Sequence, residues 1–284
     1  LLTEANRGYL GDFGKYSDLK KAITEGFVYD GNRSPHRRRR HGSSSKGESG
    51  HKFVSFIQNH DQIANTSQGE RLSALVSVET QKLGAAILLS APYLPMLFMG
   101  QEFGETAPFL YFTSHSDPAL AEAVSNGRRR EFEEFFHLRE FSDPQSPETF
   151  QESKINWTLL ERSPNREILT LYRDWISLRK ALPCLYNGRK DLTAVHFDES
   201  SRWLILERDD PSNQRALLIC NFSGNDQEVP IENRTDDWTR AIWTADPRYA
   251  GSPRCTPPER LEIGVEELNV PVPASSAVLY TSVR

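Results

Sequence analysis

Two short apolar runs constrain this chain more than anything else in it. FVSFI (53–57) and LPMLFM (94–99) each end abruptly in hydrogen-bonding residues, QNHDQ (58–62) and GQE (100–102). The first run does not alternate: Phe53, Val54, Phe56 and Ile57 would fall on both faces of a strand. A strand covered on both sides reads this way, as in a parallel sheet flanked by helices. Between the runs, Leu72, Leu75, Val76, Leu83, Ala86 and Ile87 recur at intervals of three and four, which predicts an amphipathic helix over 69–90, stopped by Pro92 and Pro95. Strand, helix, strand with polar strand ends is the pattern of an α/β barrel or a doubly wound sheet. In both, chemistry collects at the carboxyl ends of the strands.

The flanking segments read differently. A short helix is expected near the start, with Ser17 or Asp18 as its N-cap and Leu19, Ala22 and Ile23 on its apolar face. SPHRRRRHGSSSKGESG (34–50) has nothing to bury and predicts a mobile, solvated loop over about 33–50. Asp117-Pro118 signals a helix start, a charged helix follows around 128–139, and Asn165–Leu182 carries Ile168, Leu171, Tyr172, Trp175 and Leu178 at helical spacing up to Pro183. From about Gly188 the texture changes to short β-rich runs at 192–197, 203–207, 216–222, 238–243 and 277–281, separated by turn clusters. That predicts an all-β sandwich. The expected division is 1–185 for the α/β part and 186–284 for the sandwich.

Composition excludes several classes of function. A net charge of −5 over 284 residues gives no general attraction for phosphates, and no aromatic residue interleaves Arg37–Arg40, so nucleic acid is not an expected partner. No apolar run approaches the roughly 18 residues that a membrane span needs. Cys184, Cys220 and Cys255 lie far apart without metal spacing, which predicts free thiols in a reducing cytoplasm. No His, Cys or carboxylate cluster has metal spacing and no glycine loop would cradle a phosphate, so no cofactor is expected. The opening Leu1-Leu2-Thr3, in place of a methionine, points to a piece of a longer polypeptide.

FIQNHDQ (56–62), GERL (69–72) and LFMGQEFGE (97–105) together resemble the C-terminal part of a family 13 glycoside hydrolase, the α-amylase family. The resemblance implies the last part of a (β/α)8 barrel followed by a β-sandwich, with Asn-His-Asp at the end of the seventh strand. GFVYDG (26–31), HRRRRHG (36–42), NHDQIAN (59–65) and YFTSHSDPALAEAVSNGRRREF (111–132) are similar to the trehalose-releasing members of that family, which cut malto-oligosaccharides carrying a trehalosyl end. It covers nearly all of 1–182; the sandwich adds architecture without a motif.

What the resemblance implies chemically is a retaining cleavage, with a nucleophile and an acid carboxylate about 5–5.5 Å apart and a third carboxylate supporting the oxocarbenium-like transition state. Asp61 is expected to be that third carboxylate, accepting hydrogen bonds from ring hydroxyls. His60 would bind the same sugar, Asn59 and Gln62 would shape the turn and the substrate contact, and Tyr9 in GYLGDF would stack on a sugar face. Gln58 is expected to orient Asp61. No strand before Asp61 ends in a motif matching the nucleophile or the acid; Asp12 and Asp30 read as surface or capping groups. The chain alone is therefore expected to be inactive, with the upstream part of the same polypeptide completing the barrel and its exposed apolar edge. Glu70 and Arg71 read as a charge pair at a helix start, and Glu102 and Glu105 as chiefly structural. Two other readings stand: a glucan-branching enzyme or amylase of the same family, and a non-catalytic module that binds glucan or a protein partner.

Overall fold

The computed structural model describes residues 1–4, 11–66, 68–135, 142–232, 237–261 and 267–283. In chain order its elements are α1 (Tyr16–Glu25), β1 (Asp30–Ser34), β2 (Arg39–Gly42), β3 (Val54–Ser55), α2 (His60–Ala64), α3 (Leu72–Leu75), α4 (Val78–Ser90), β4 (Leu94–Pro95), α5 (Pro118–Phe135), α6 (Pro147–Glu152), α7 (Asn165–Ala181) and α8 (Pro183–Tyr186). After these come β5 (Thr193–Asp198), β6 (Trp203–Asp209), β7 (Gln214–Asn221), β8 (Gln227–Glu232), β9 (Thr239–Trp243), β10 (Glu267–Val272) and β11 (Ser276–Val283).

The strand-rich half is built on one antiparallel sheet in the order β5-β6-β7-β11-β9, with β10 and β8 paired as a separate two-stranded ribbon. Successive side chains of a strand point to opposite faces, and here both faces are buried. Leu204 and Leu206 of β6, Leu218 and Cys220 of β7, and Ala277 and Leu279 of β11 face the helices. Ile205, Leu217, Ile219, Val278 and Tyr280 face the β8/β10 ribbon with Val229, Ile231, Val270 and Val272. Two-sided burial is why ALLIC (216–220) reads as an unbroken apolar run.

The helix-facing core runs without interruption from the sheet into α4 and α7, through Leu83, Ala86, Leu89, Ile168, Leu171 and Trp175. Each fully buried side chain of this size contributes about 1.5–3 kcal/mol. α7 follows its predicted bounds closely. The predicted 69–90 helix does not: it breaks into α3 and α4 because Val76 is extended and the Ser77 hydroxyl caps α4 by accepting from the Thr80 N–H at 3.2 Å. Instead of presenting one apolar stripe, α4 is buried over Gln81–Ser90 on every side. Even Lys82 lies inside, donating Nζ to the Tyr249 carbonyl at 2.9 Å, and burial lowers its pKa.

Two further expectations change. α1 begins one residue before Ser17, and Asp18 serves as its third residue, accepting from the Lys15 N–H. The arginine-rich stretch expected as a loop carries a hairpin, β1 against β2, because Asp12 accepts from the Tyr29 hydroxyl, the Ser34 hydroxyl and the His36 N–H and so fixes one side of it. Cys184, Cys220 and Cys255 are free thiols.

Two buried arginines hold the end of α4, and one of them, Arg208, joins the halves. Arg179 of α7 donates to the carbonyls of Leu89, Ala91 and Tyr93, and Arg208 of β6 donates to the carbonyls of Ser90 and Asn187. Burial lowers the pKa of each to about 10, and for Arg208 the neighbouring Arg179 charge adds to it. Replacing Arg208 with Met would leave the buried Ser90 carbonyl and the partly buried Asn187 carbonyl without this donor. We expect R208M to lose about 3 kcal/mol, measured as a shift in the urea midpoint at unchanged slope.

Candidate active site

The Asn-His-Asp turn is set by three short-range constraints. β3 and β4 run parallel, with the Leu94 N–H donating to Phe53 O and the Met96 N–H to Ser55 O. The pairing is short, Val54 opposite Leu94 and Ser55 opposite Pro95. The buried Gln58 side chain accepts from the Leu72 N–H at 2.9 Å, pinning the end of the first apolar run to the start of α3. Asn59 then caps α2, its Oδ1 accepting from the Gln62 N–H at 3.0 Å. His60 and Asp61 form the first turn of α2 with their side chains outward.

Those side chains are 68% and 75% exposed, with His60 Nε2 at 3.3 Å from Asp61 Oδ1. A contact this open contributes little stability. Its chemical meaning is that both carboxylate oxygens of Asp61 remain reachable by a ligand's hydroxyl groups. The structure thus brings Asn59, His60, Asp61 and Gln62 onto one turn. Asn59 works through its cap, and Gln62 supplies the N–H that the cap uses while its own side chain is exposed. Gln58, expected to orient Asp61, instead bonds to the start of α3. Tyr9 lies outside the described residues.

The first apolar run is not covered on both sides as its composition predicts. Val54 is 58% exposed, and Phe56, Leu94 and Met99 are exposed as well, so one side of the β3/β4 pair faces solvent. The buried neighbours lie on the other side, where Phe53 packs edge-on against Tyr93.

The sequence misplaces Arg71 here, whereas Glu105 takes the structural place expected of it. Arg71 does not pair at a helix surface: it is buried, donating Nε to Ala107 O at 2.6 Å and Nη1 to Met99 O at 2.7 Å, between the Phe98 and Phe109 rings. Burial lowers its pKa, offset in part by the Glu105 and Glu102 charges. Glu105 is buried and accepts from the N–H groups of Thr106, Ala107 and Asn156. Its place depends on Gly100 and Gly104, both at positive φ; a Cβ on Gly100 would sit 2.6 Å from the Glu105 Cβ. Beside α2 opens a cavity of about 320 Å³ lined by Ala64, Thr66, Gln68, Tyr111, Arg128 and Phe132 among others. Among the described residues no group of three or more His, Cys, Asp or Glu could hold a metal ion.

Against known proteins, the chain is 45% identical over 179 residues to a malto-oligosyltrehalose trehalohydrolase of Saccharolobus solfataricus, a match covering 63% of this chain and 30% of that protein. The chain matches the C-terminal part of the malto-oligosyltrehalose trehalohydrolases. A second trehalohydrolase, from Brevibacterium helvolum, is 35% identical over 248 residues, covering 86% of this chain and 41% of its own length. The chain therefore spans about a third of the trehalohydrolases it matches. No family model matches it. Among solved structures, a Salmonella typhimurium protein assigned as an alpha amylase superposes with a TM-score of 0.78 at 30% identity, covering 99% of this chain and 44% of that one. The fold is accordingly the C-terminal part of a (β/α)8 barrel with a β-sandwich after it, and no barrel closes among the described residues.

In this trehalohydrolase-like frame Glu105 belongs to the scaffold. We expect E105A, which leaves three backbone N–H groups without their acceptor, to lower stability by about 3 kcal/mol in urea unfolding. Asp61→Ala, at an open surface, should change it by less than about 0.5 kcal/mol.

Proposed function

We propose that this chain is part of a glycoside hydrolase that releases trehalose by cutting the α-1,4-glucosidic bond next to the trehalosyl end of a malto-oligosaccharide. The observation that carries this reading is an exposed, hydroxyl-accessible carboxylate, Asp61, on a capped turn where a parallel strand ends. Support for the substrate comes from the relatives matched in sequence, which are named as malto-oligosyltrehalose trehalohydrolases. The division into a barrel part at 1–185 and a sandwich at 186–284 belongs to the same proposal, as does a cytoplasmic setting for three free thiols. No helix among the described residues is long and apolar enough to cross a membrane.

In this reading Asp61 is the transition-state carboxylate of a retaining reaction. It accepts hydrogen bonds from ring hydroxyls of the sugar being cleaved, and those bonds strengthen as the ring flattens towards the oxocarbenium ion. His60, in contact with it, binds the same sugar, and Asn59 holds the turn that presents both. The nucleophile and the acid come from sequence ahead of this chain. That same sequence covers the exposed side of the β3/β4 pair, where Val54, Phe56 and Leu94 lie open. The isolated chain binds but does not cut.

The test uses the full-length polypeptide that contains this chain. Asp61→Asn keeps the shape of the side chain and removes its charge. It should lower kcat by at least about a hundredfold, the order expected for loss of a group aimed at developing charge. Unchanged activity would remove Asp61 from the mechanism. Product analysis decides the substrate: trehalose supports the proposal, whereas maltose or a newly branched glucan would make the protein an amylase or a branching enzyme.

A further inference from the structure

The 111–132 motif carries the resemblance to trehalose-releasing enzymes, yet nothing above gives it work to do. Its two ends meet in space at Arg128. The guanidinium lies 5.4 Å from the Tyr111 ring centroid and 5.0 Å from that of Phe132, and the side chain is only 12% exposed. Although it borders the 320 Å³ cavity, its N–H groups are directed elsewhere. Nη1 donates to Asn65 Oδ1 at 2.8 Å and to Glu131 Oε2 at 2.9 Å, and Nη2 donates to the Ala64 carbonyl. With those bonds made, Arg128 is poorly placed to receive an anion in the cavity. It is well placed to hold the protein itself.

What it holds is the carboxyl end of α2. A helix of five residues does not sustain itself, since its nucleation cost exceeds what one turn returns. α2 is held from outside at both ends: by the Asn59 side chain at the start, and at the finish by Arg128 on Ala64 O, a favourable place for a cation. The Thr66 hydroxyl, donating to Ile63 O at 2.9 Å, adds a local tie. His60 and Asp61 sit between these fastenings. Arg128 comes from α5, far along the chain, so it couples the motif to the turn that presents Asp61.

We infer that Arg128 is a positioning residue for Asp61, acting through the Ala64–Asn65 end of α2 without touching the substrate. The inference rests on the reading of Asp61 given above. A fork is needed because two acceptors, a carbonyl and an amide oxygen, must be held at once; a lysine ammonium offers one compact charge in place of the planar fork.

The experiment measures kcat, KM and Tm for R128A, R128K and D61N in the full-length polypeptide, with and without millimolar guanidinium. For R128A we expect kcat about ten- to a hundredfold lower, the scale set by small misplacement of a reacting group, with KM changed less than about threefold. R128K should fall between it and the unmodified enzyme. Guanidinium should restore part of the activity of R128A and none of that of D61N. The inference is overturned if R128A or R128K keeps full kcat, or if the loss tracks unfolded protein and guanidinium restores nothing. Should R128A fail to fold, R128K decides: a reduced kcat at unchanged Tm supports the inference, and full kcat ends it. Full activity in D61N would instead bring down the underlying role of Asp61, an outcome that the R128 variants alone do not produce.

Discussion

The carboxyl end of α4 is the point on which the rest of this structure depends. Two guanidinium groups reach it, Arg179 from α7 and Arg208 from β6, and together they take up the carbonyls of residues 89, 90, 91 and 93. A helix end leaves its last carbonyls without intrahelical partners. Buried, those groups need donors, and no water-filled surface supplies them here. Burying two guanidinium groups is costly, and that burial is why the pKa of each falls to about 10, with the Arg179 charge adding to the shift at Arg208. The negative end of the helix and a ring of carbonyls offset that cost. The Trp175 indole completes the arrangement by donating to the Ser90 hydroxyl at 3.2 Å.

That junction has consequences for the site. Residues 91–93 pass directly from the held helix end into β4, β4 pairs with β3, and β3 leads to the Asn59 cap. Thus a strand of the sandwich, β6, helps to fix the position of a turn that belongs to the barrel. The continuous core from Leu218 and Leu279 through Leu89 to Trp175 makes the same connection in apolar contacts. The sandwich is therefore more than an appendage: without Arg208 the Ser90 carbonyl at the end of the helix preceding β4 would lose its donor.

Much of this was legible from residue spacing, and the failures have physical causes. The 3.6-residue period of Ile168, Leu171, Tyr172 and Trp175 found α7 to within one residue, because nothing competes with it. The β6, β7 and β11 runs were found because both faces are buried and the apolar residues are contiguous. β8 and β10 were missed: QEVPIE and ELNVPV each hold a proline, which argues against a strand unless it lies in a ribbon such as this one. The turn at Val76–Ser77 was hidden because an apolar stripe continues across it while the backbone does not. At the site, the Asn-His-Asp turn was legible as a cluster of polar residues after an apolar run. Arg128 was not, since its partners Ala64 and Asn65 are backbone and amide groups far away in sequence, without a complementary charge to signal them.

Asp61 and Glu105 show how placement divides the work of two carboxylates near the ends of neighbouring strands. Glu105 accepts three backbone N–H groups and is closed off from solvent, tying the turn that follows β4 to Asn156. A buried carboxylate bonded in this way is held in place and out of a ligand's reach. Asp61 is the reverse: exposed, paired with His60 at 3.3 Å, and mounted on a turn whose two ends are tied by other residues. Rigidity comes from Asn59 and Arg128, and the carboxylate itself stays free to accept. Separating the group that is held from the groups that do the holding lets one turn be both ordered and available, which is what a preorganised acceptor of sugar hydroxyls requires.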